Sequence, residues 1–302
     1  MSSYDLKLGF NCNNNCRHCV IAEKRPCGSL NENQIFELID NLPEEVDEVQ
    51  ITGGEPTLYP FLPEVLKRIK SKNINTIMQT NGTGFSDKEL CEKCLPYLDH
   101  VHIAIHSCFP EVHDFIVQSK GMWEKTITGL YNIKDYKDTC ITTQTVLSKY
   151  NILTIYDTFD FIQSIIPGTM MSFTYPHMMG NAYTNRQDVC FRYSDYYIEI
   201  QRILARFHEV MYCESIPFCY LHPYTDVINN SLETDIYSNT YGRIGVDFSD
   251  GFNVKDYNYL NVKDHRKGPR CKECIYNNKC IGVWKEYIEL YKDNLDLYPM
   301  VK

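Results

Sequence analysis

Three cysteines fall within eight residues near the start of the chain, Cys12, Cys16 and Cys19 in "CNNNCRHC". A closed zinc or iron–sulfur site takes four protein ligands, so three clustered thiolates leave one metal position for another molecule to fill. A second set lies near the end, with Cys271, Cys274 and Cys280 in "CKECIYNNKC" and Cys219 upstream in "IPFCYL". Four thiolates can close a [4Fe–4S] cluster with no vacancy, and by geometry they suit a structural zinc knuckle as well.

The residues inside the first set are polar and small enough for a tight wrap whose backbone N–H groups point at sulfur. His18, just before Cys19, can pack its ring against a planar ligand or complete a zinc site. Further on, "ITGGEPTLYP" ends the second candidate strand. There Gly53 and Gly54 let the backbone come close to a ligand, and Glu55 offers an anionic acceptor for an amino group. Alone this reads as a turn; beside the cysteine loop on the same rim it reads as part of a site.

Both motifs must be positioned by a scaffold, and its pattern is legible. Short β-branched or apolar runs, "DLKLGF", "EVQITG", "NTIMQT", "VHIAIH", "TTQTVL" and "MMSFTY", alternate with segments of helical period. That is the signature of βα units around a parallel sheet. Six units fall short of the eight that close a full barrel, so the expected α/β fold is a partial, TIM-like (β/α)6 barrel with its site at the strand C-terminal ends. Asn31 and Ser86 are the expected N-caps of the first and third helices. The sixth helix is expected to run through "YSDYYIEIQRILARFHEVMY", up to Tyr212. Past residue 212 the pattern breaks into a turn-rich stretch and a hairpin in "GRIGVDFSDGFNVKDYN" bent at Asp250 and Gly251. The cysteine-bearing loop then runs into a short aromatic helix. The expected division is a barrel over 1–212 and a small cysteine-rich hairpin-plus-helix domain over 213–302.

Composition narrows the function. Lys plus Arg is 30 against 39 Asp plus Glu, a formal charge of -9, and no basic block appears. Phosphate contacts need a basic surface, so a nucleic-acid substrate is disfavoured. No window approaches a membrane span and the N-terminus lacks a signal-peptide pattern, which points to a cytoplasmic protein with no membrane partner. Fourteen cysteines in such a compartment indicate metal or redox chemistry rather than disulfides.

"CNNNCRHC" resembles the CxxxCxxC loop of the radical S-adenosylmethionine (radical SAM) superfamily, and "TGGEP" resembles its GGE motif. The resemblance covers roughly the first 200 residues. It implies a [4Fe–4S] cluster on Cys12, Cys16 and Cys19 whose open iron is chelated by the amino and carboxylate groups of S-adenosylmethionine. It further implies reductive cleavage to a 5'-deoxyadenosyl radical that abstracts hydrogen from a substrate, with a reductant such as flavodoxin or ferredoxin. By position, Glu55 would accept the methionine amino group, and His18 takes the place usually held by an aromatic beside adenine. Ser107 and Gln144 are candidates for ribose contacts, and Gly180 for close approach to adenine. "CKECIYNNKC" is similar to the Twitch and SPASM auxiliary-cluster appendages of this superfamily. The fuller SPASM form has a cysteine four positions after the one matching Cys280; here that residue is Trp284, so one second [4Fe–4S] cluster, Twitch-like, is implied.

The expected function is hydrogen abstraction from a peptide or small-molecule substrate, leading to oxidation or crosslinking with the auxiliary cluster assisting. Peptide-modifying relatives often carry a leader-recognition domain ahead of the barrel, and with Cys12 so early none is expected here. A redox-neutral epimerase is the alternative enzyme; it needs a thiol hydrogen donor, for which Cys108, at the end of the fourth strand, is the candidate. A non-catalytic iron–sulfur or zinc protein, and a tRNA-modifying enzyme at odds with the acidic balance, complete the options. Cys91, Cys94 and Cys140 read as ordinary reduced thiols.

Overall fold

Strand faces alternate so that one side of each strand packs on helices and the other faces the barrel interior. A computed structural model describes residues 2–227, 243–246, 254–256, 264–292 and 295–301. Its first strands are β1 (Ser2–Lys7), β2 (Val46–Thr52), β3 (Asn75–Thr80), β4 (His100–Ala104), β5 (Cys140–Val146) and β6 (Met170–Thr174). On β4, Val101 and Ile103 are fully buried while His100, His102 and Ala104 are only partly so. The six sequence-expected strands are present, and consecutive strands pair in parallel from β1 to β6.

The intervening helices form where apolar residues recur at helical spacing. In α1 (Glu32–Asp40), Asn31 is the N-cap as expected, with Gln34 bonding back at 3.0 Å in a capping box. In α2 (Leu62–Lys70), Leu62, Val65, Leu66 and Ile69 form one buried stripe, each worth about 1.5–3 kcal/mol of burial, while Lys67, Arg68 and Lys70 suit the C-terminal end of the dipole. The start of α3 (Lys88–Cys94) differs from expectation. Ser86 closes a preceding turn by donating to Thr83 O at 2.8 Å, and Asp87 caps the helix through Glu89 N. An aspartate one residue later offers the same acceptor with a charge suited to the N-terminus. Next come α4 (Pro110–Val117), α5 (Met122–Ile133) and α6 (Ile155–Ile165), then the short α7 (Gly180–Thr184) and α8 (Arg186–Val189) and the longer α9 (Tyr197–Phe207).

The sixth expected helix does not reach Tyr212. It ends at Phe207, and Met211–Glu214 form a seventh strand, β7, parallel to β6 with Met211 opposite Met171. "MYCE" alternates buried and half-buried, the period of a strand, and it covers the edge that β6 would otherwise leave bare. After the one-turn α10 (Phe218–Leu221), the expected hairpin is present as β8 (Arg243–Val246) and β9 (Val254–Asp256), antiparallel with Val246 opposite Val254. Its bend at Asp250 and Gly251 lies outside the described residues. β8 also pairs in parallel with β1, so among the described residues the sheet runs β7-β6-β5-β4-β3-β2-β1-β8-β9.

The expected terminal helix is α11 (Lys285–Tyr291). A fully buried Asp296 fastens it to the barrel. Its Oδ1 accepts from the Tyr287 hydroxyl at 2.6 Å, and its Oδ2 accepts from Ser194 N at 2.8 Å and the Tyr220 hydroxyl at 3.2 Å. Tyr193 stacks on Tyr287 at 4.7 Å, so several of the chain's tyrosines serve packing.

Candidate active site

The cysteine loop leaves β1 at the strand's C-terminal end and is fixed by backbone groups on three sides. Asn15 N and Arg17 N donate to Val117 O and Ile116 O at the end of α4, each at 2.9 Å. From α7, Asn181 N donates to Cys19 O and its side chain to Cys16 O, again at 2.9 Å. From the glycine motif, Gly54 N donates to Gly9 O and Glu55 N to Asn11 O, both at 2.8 Å. Asn14 N lies 3.4 Å from Cys12 Sγ, a backbone donor aimed at a thiol as the wrap predicts.

A cavity of about 260 Å³ opens at this rim. Cys12, Cys16, Cys19 and His18 line it on one side, with Gly53, Gly54 and Glu55 beside them. Gln79, His102, Ala104 and Gln144, from β3, β4 and β5, line it as well. Glu55 is 1% exposed, and its orientation is fixed by four donors. Oε1 accepts from Thr57 N (3.0 Å), Thr57 Oγ1 (2.6 Å) and Thr80 Oγ1 (2.6 Å), and Oε2 accepts from Asn81 N (2.7 Å). Burial raises its pKa while these donors oppose the rise.

Burial likewise pushes the Cys12 and Cys16 thiols above the usual range, so the thiolate form needs a bound cation's charge. His18 is held near a pKa of about 4 by burial and meets His106 edge-on at 4.6 Å. The ligand atoms of Cys16, His18 and His106 lie within 4.8 Å of one another, so the imidazole that could complete a zinc site is at hand. His18 Nδ1 is buried with no hydrogen-bond partner among the described residues.

Three other sequence candidates stand apart from this cavity. Ser107 is fully buried and its hydroxyl accepts from Phe109 N at 3.0 Å. Cys108 turns toward α6, where Thr158 Oγ1 accepts from its backbone N–H at 3.1 Å. Gly180, at φ +53°, packs on the cysteine loop: an added Cβ would fall 2.6 Å from Cys19 O. Sequence reading missed His102, His106 and the loop-fastening Asn181 and Asn185. The period-2 spacing of histidine at 100 and 102 on β4, kept at 106 just past its end, was the available signal for the first two.

The second thiol set also converges. Cys219 on α10 and Cys271, Cys274 and Cys280 line one small cavity with Pro217 and Gly282. Gly282 N donates to Cys280 Sγ at 3.3 Å. Burial first, and then the neighbouring thiols, raise the pKa of Cys219. Trp284 lies between His177 (3.8 Å) and His265 (3.9 Å), tying this segment to the end of β6. An adjoining cavity of about 230 Å³ lies between Trp284 and His18.

The radical SAM superfamily model matches residues 6–162, more than half of the chain. The chain belongs to the radical SAM superfamily. Among curated relatives, a probable GTP 3',8-cyclase of Thermococcus kodakarensis is 33% identical over 117 residues, 38% of this chain and 37% of that protein. The mycofactocin maturase MftC of Mycobacterium tuberculosis is 28% identical over 129 residues, 42% of this chain and 33% of that protein. The matches thus span well under half the length of these relatives. Streptococcus suis SuiB shares the fold, with a TM-score of 0.62 at 15% identity over 98% of this chain and 75% of SuiB. As a radical SAM enzyme the chain uses a [4Fe–4S] cluster and S-adenosylmethionine, and the donor set fits them: three thiols and an anionic acceptor border one cavity. Among the described residues, no helix is long and apolar enough to cross a membrane.

Proposed function

We propose that Cys12, Cys16 and Cys19 hold the [4Fe–4S] cluster, and that S-adenosylmethionine lies along the rim with its amino group on Glu55 and its chain against Gly53 and Gly54. His18 then borders the adenine and Gln144 the ribose. Bound together, cluster and cofactor supply hydrogen-atom abstraction from a C–H bond; the protein's part is to orient the substrate and exclude water. Gly180 and Asn181 position the cysteine loop from outside, and Ser107 keeps the β4–α4 turn in shape.

Cys219, Cys271, Cys274 and Cys280 hold a second, auxiliary cluster in a Twitch-like segment for which 213–302 are the expected bounds. The observation that carries the reading is the convergence of two separate thiol sets on two separate cavities. The substrate is a peptide or small molecule, taken up between the rim and Trp284 in a cytoplasmic enzyme. The strand side of the cavity supports an uncharged reacting part: Gln79 and His102 offer neutral donors and acceptors, whereas Arg25, the one lining cation among the described residues, donates to Asn14 O. MftC is named a maturase and SuiB has been seen with its precursor peptide SuiA, which favours a peptide. Cys108 sits away from the cavity, which supports oxidation over a redox-neutral epimerisation that needs a thiol donor.

Anaerobic reconstitution tests this. The wild type should carry about eight irons per chain, falling to about four in Cys12/Cys16/Cys19→Ala and to about four in Cys219/Cys271/Cys274/Cys280→Ala. Only the second variant should still cleave S-adenosylmethionine to 5'-deoxyadenosine. Zinc retained at the terminal set, with four irons lost from the first, would make the tail structural.

A further inference from the structure

The outer face of the cysteine loop, turned away from the cavity, carries a patch that the proposed reaction does not use. Arg17 sits between two of its functional residues, Cys16 and His18, yet its guanidinium lies over the Phe115 ring at 4.0 Å and 5.8 Å from the Tyr150 ring. Its Nε donates to Phe115 O at 3.0 Å, and Phe115 meets Tyr150 edge-on at 5.0 Å. Phe115 is 47% exposed, so an aromatic shelf holds a cation at the surface one residue from a thiol.

The shelf continues onto α8. Asn185 donates to Arg17 O at 3.0 Å, and the next residue, Arg186, lies over the 49% exposed Tyr183 at 4.4 Å. Lys149, beside Tyr150, donates to Gln187 O at 2.6 Å. Among the described residues these three cations have no ion pair. The carboxylates of the patch are Asp188, beside Tyr150, and the exposed Glu111, one helical turn before Phe115 on α4; Asp114 is turned inward onto Gly121 N and Trp123 N. Three cations against two carboxylates, with exposed aromatics, leave this face net positive on a chain whose formal charge is -9.

We infer that this face docks a small acidic electron-carrier protein. The inference rests on the reading of Cys12, Cys16 and Cys19 as cluster ligands. Electron-transfer encounters use small, transient interfaces steered by complementary charge, and an acidic enzyme repels an acidic carrier everywhere except at a local basic face. Here that face coincides with the loop that carries the thiols. In the encounter one electron leaves the reduced carrier and enters the site behind Arg17; no bond forms or breaks.

The test uses the reconstituted holoprotein and reduced flavodoxin as donor, with cluster reduction followed by stopped-flow absorbance and by electron paramagnetic resonance. Lys149→Glu/Arg186→Glu, which leaves the cysteine loop itself unaltered, should slow reduction by flavodoxin about tenfold or more at low ionic strength and flatten its salt dependence. Arg17→Gln should give a smaller loss in the same direction. Photochemical reduction with a small deazaflavin, and iron per chain, should match the wild type, which separates this outcome from failure of the cluster reading. Wild-type rates and salt slopes in the charge-reversed variant would overturn the inference, as would a wild type that flavodoxin does not reduce. So would a patch whose mutation changes retention on RNA and not reduction.

Discussion

The contact between the glycine motif and the cysteine loop can be tested by a single methyl group. A Cβ placed on Gly54 would lie 2.0 Å from Asn11 O and 2.5 Å from Asn11 C, against backbone that cannot rotate aside. Relief to ordinary contact needs more than about 1 Å of separation, which would stretch the 2.8 Å bonds from Gly54 N to Gly9 O and from Glu55 N to Asn11 O beyond hydrogen-bonding range. Two lost bonds at about 1 kcal/mol each, plus overpacking of about 1–3 kcal/mol, give roughly 3–5 kcal/mol for Gly54→Ala. For a domain of this size that is a fall in Tm of about 6–10 °C. Gly121→Ala is the control: its Cβ meets nothing within 4 Å, and only its φ of +77° opposes the change, at about 1–2 kcal/mol. Thermal melts of the metal-free, reduced protein measure both, and iron uptake should fall for Gly54→Ala because Cys12 adjoins the displaced Asn11. Equal Tm losses in the two variants, with full iron uptake in both, would refute the reasoning.

Three further outcomes follow from named contacts. Glu55→Gln keeps one acceptor oxygen, best placed where three donors meet, and turns an amide N–H against Asn81 N–H; it should cost about 2 kcal/mol in urea unfolding and weaken S-adenosylmethionine binding in equilibrium dialysis. Asp296→Ala leaves Ser194 N–H and the Tyr287 hydroxyl without their acceptor, while the Tyr220 hydroxyl keeps the main-chain Asp296 O, and a loss of roughly 2–4 kcal/mol should be accompanied by faster proteolysis at α11. Burial holds His102 and His113 at about 4. The unfolded chain therefore binds more protons between about pH 6.5 and 4, and stability should fall on acidification through that window by up to ~1.4 kcal/mol per pH unit for each histidine. His102→Gln and His113→Gln should flatten the pH dependence of the urea midpoint; a midpoint that rises on acidification would contradict the assignment.

The strands and the two thiol sets were legible because periodicity and short spacing are local properties. Asn31 announced its helix by standing just ahead of an acidic first turn, whereas Ser86 lost the cap to Asp87, since neighbouring residues with similar acceptors cannot be ranked without the turn that consumes one of them. β7 was hidden because "HEVMY" continues the apolar spacing of α9, and only the bare edge of β6 selects strand there. The placements of Ser107, Cys108 and Gly180 were beyond local reading: the first two follow a strand end and the third opens α7, and which way a strand-end side chain points depends on the twist and on neighbours such as Thr158. Glu55 was recognisable as an acceptor, but the Thr57, Thr80 and Asn81 donors that aim it come from the next strand as well as its own turn.

The pairing of β8 with β1 sets an order of assembly. Strands β1 to β7 each find their partner in the next βα unit, a short chain closure that can form as the units appear. The other side of β1 joins Ser3 to Arg243, residues at nearly opposite ends of the chain. Until that segment has been synthesised, β1 is an edge strand, and the thiol loop that follows it hangs from the least supported part of the sheet. The first cysteines to leave the ribosome are thus among the last to gain a finished scaffold.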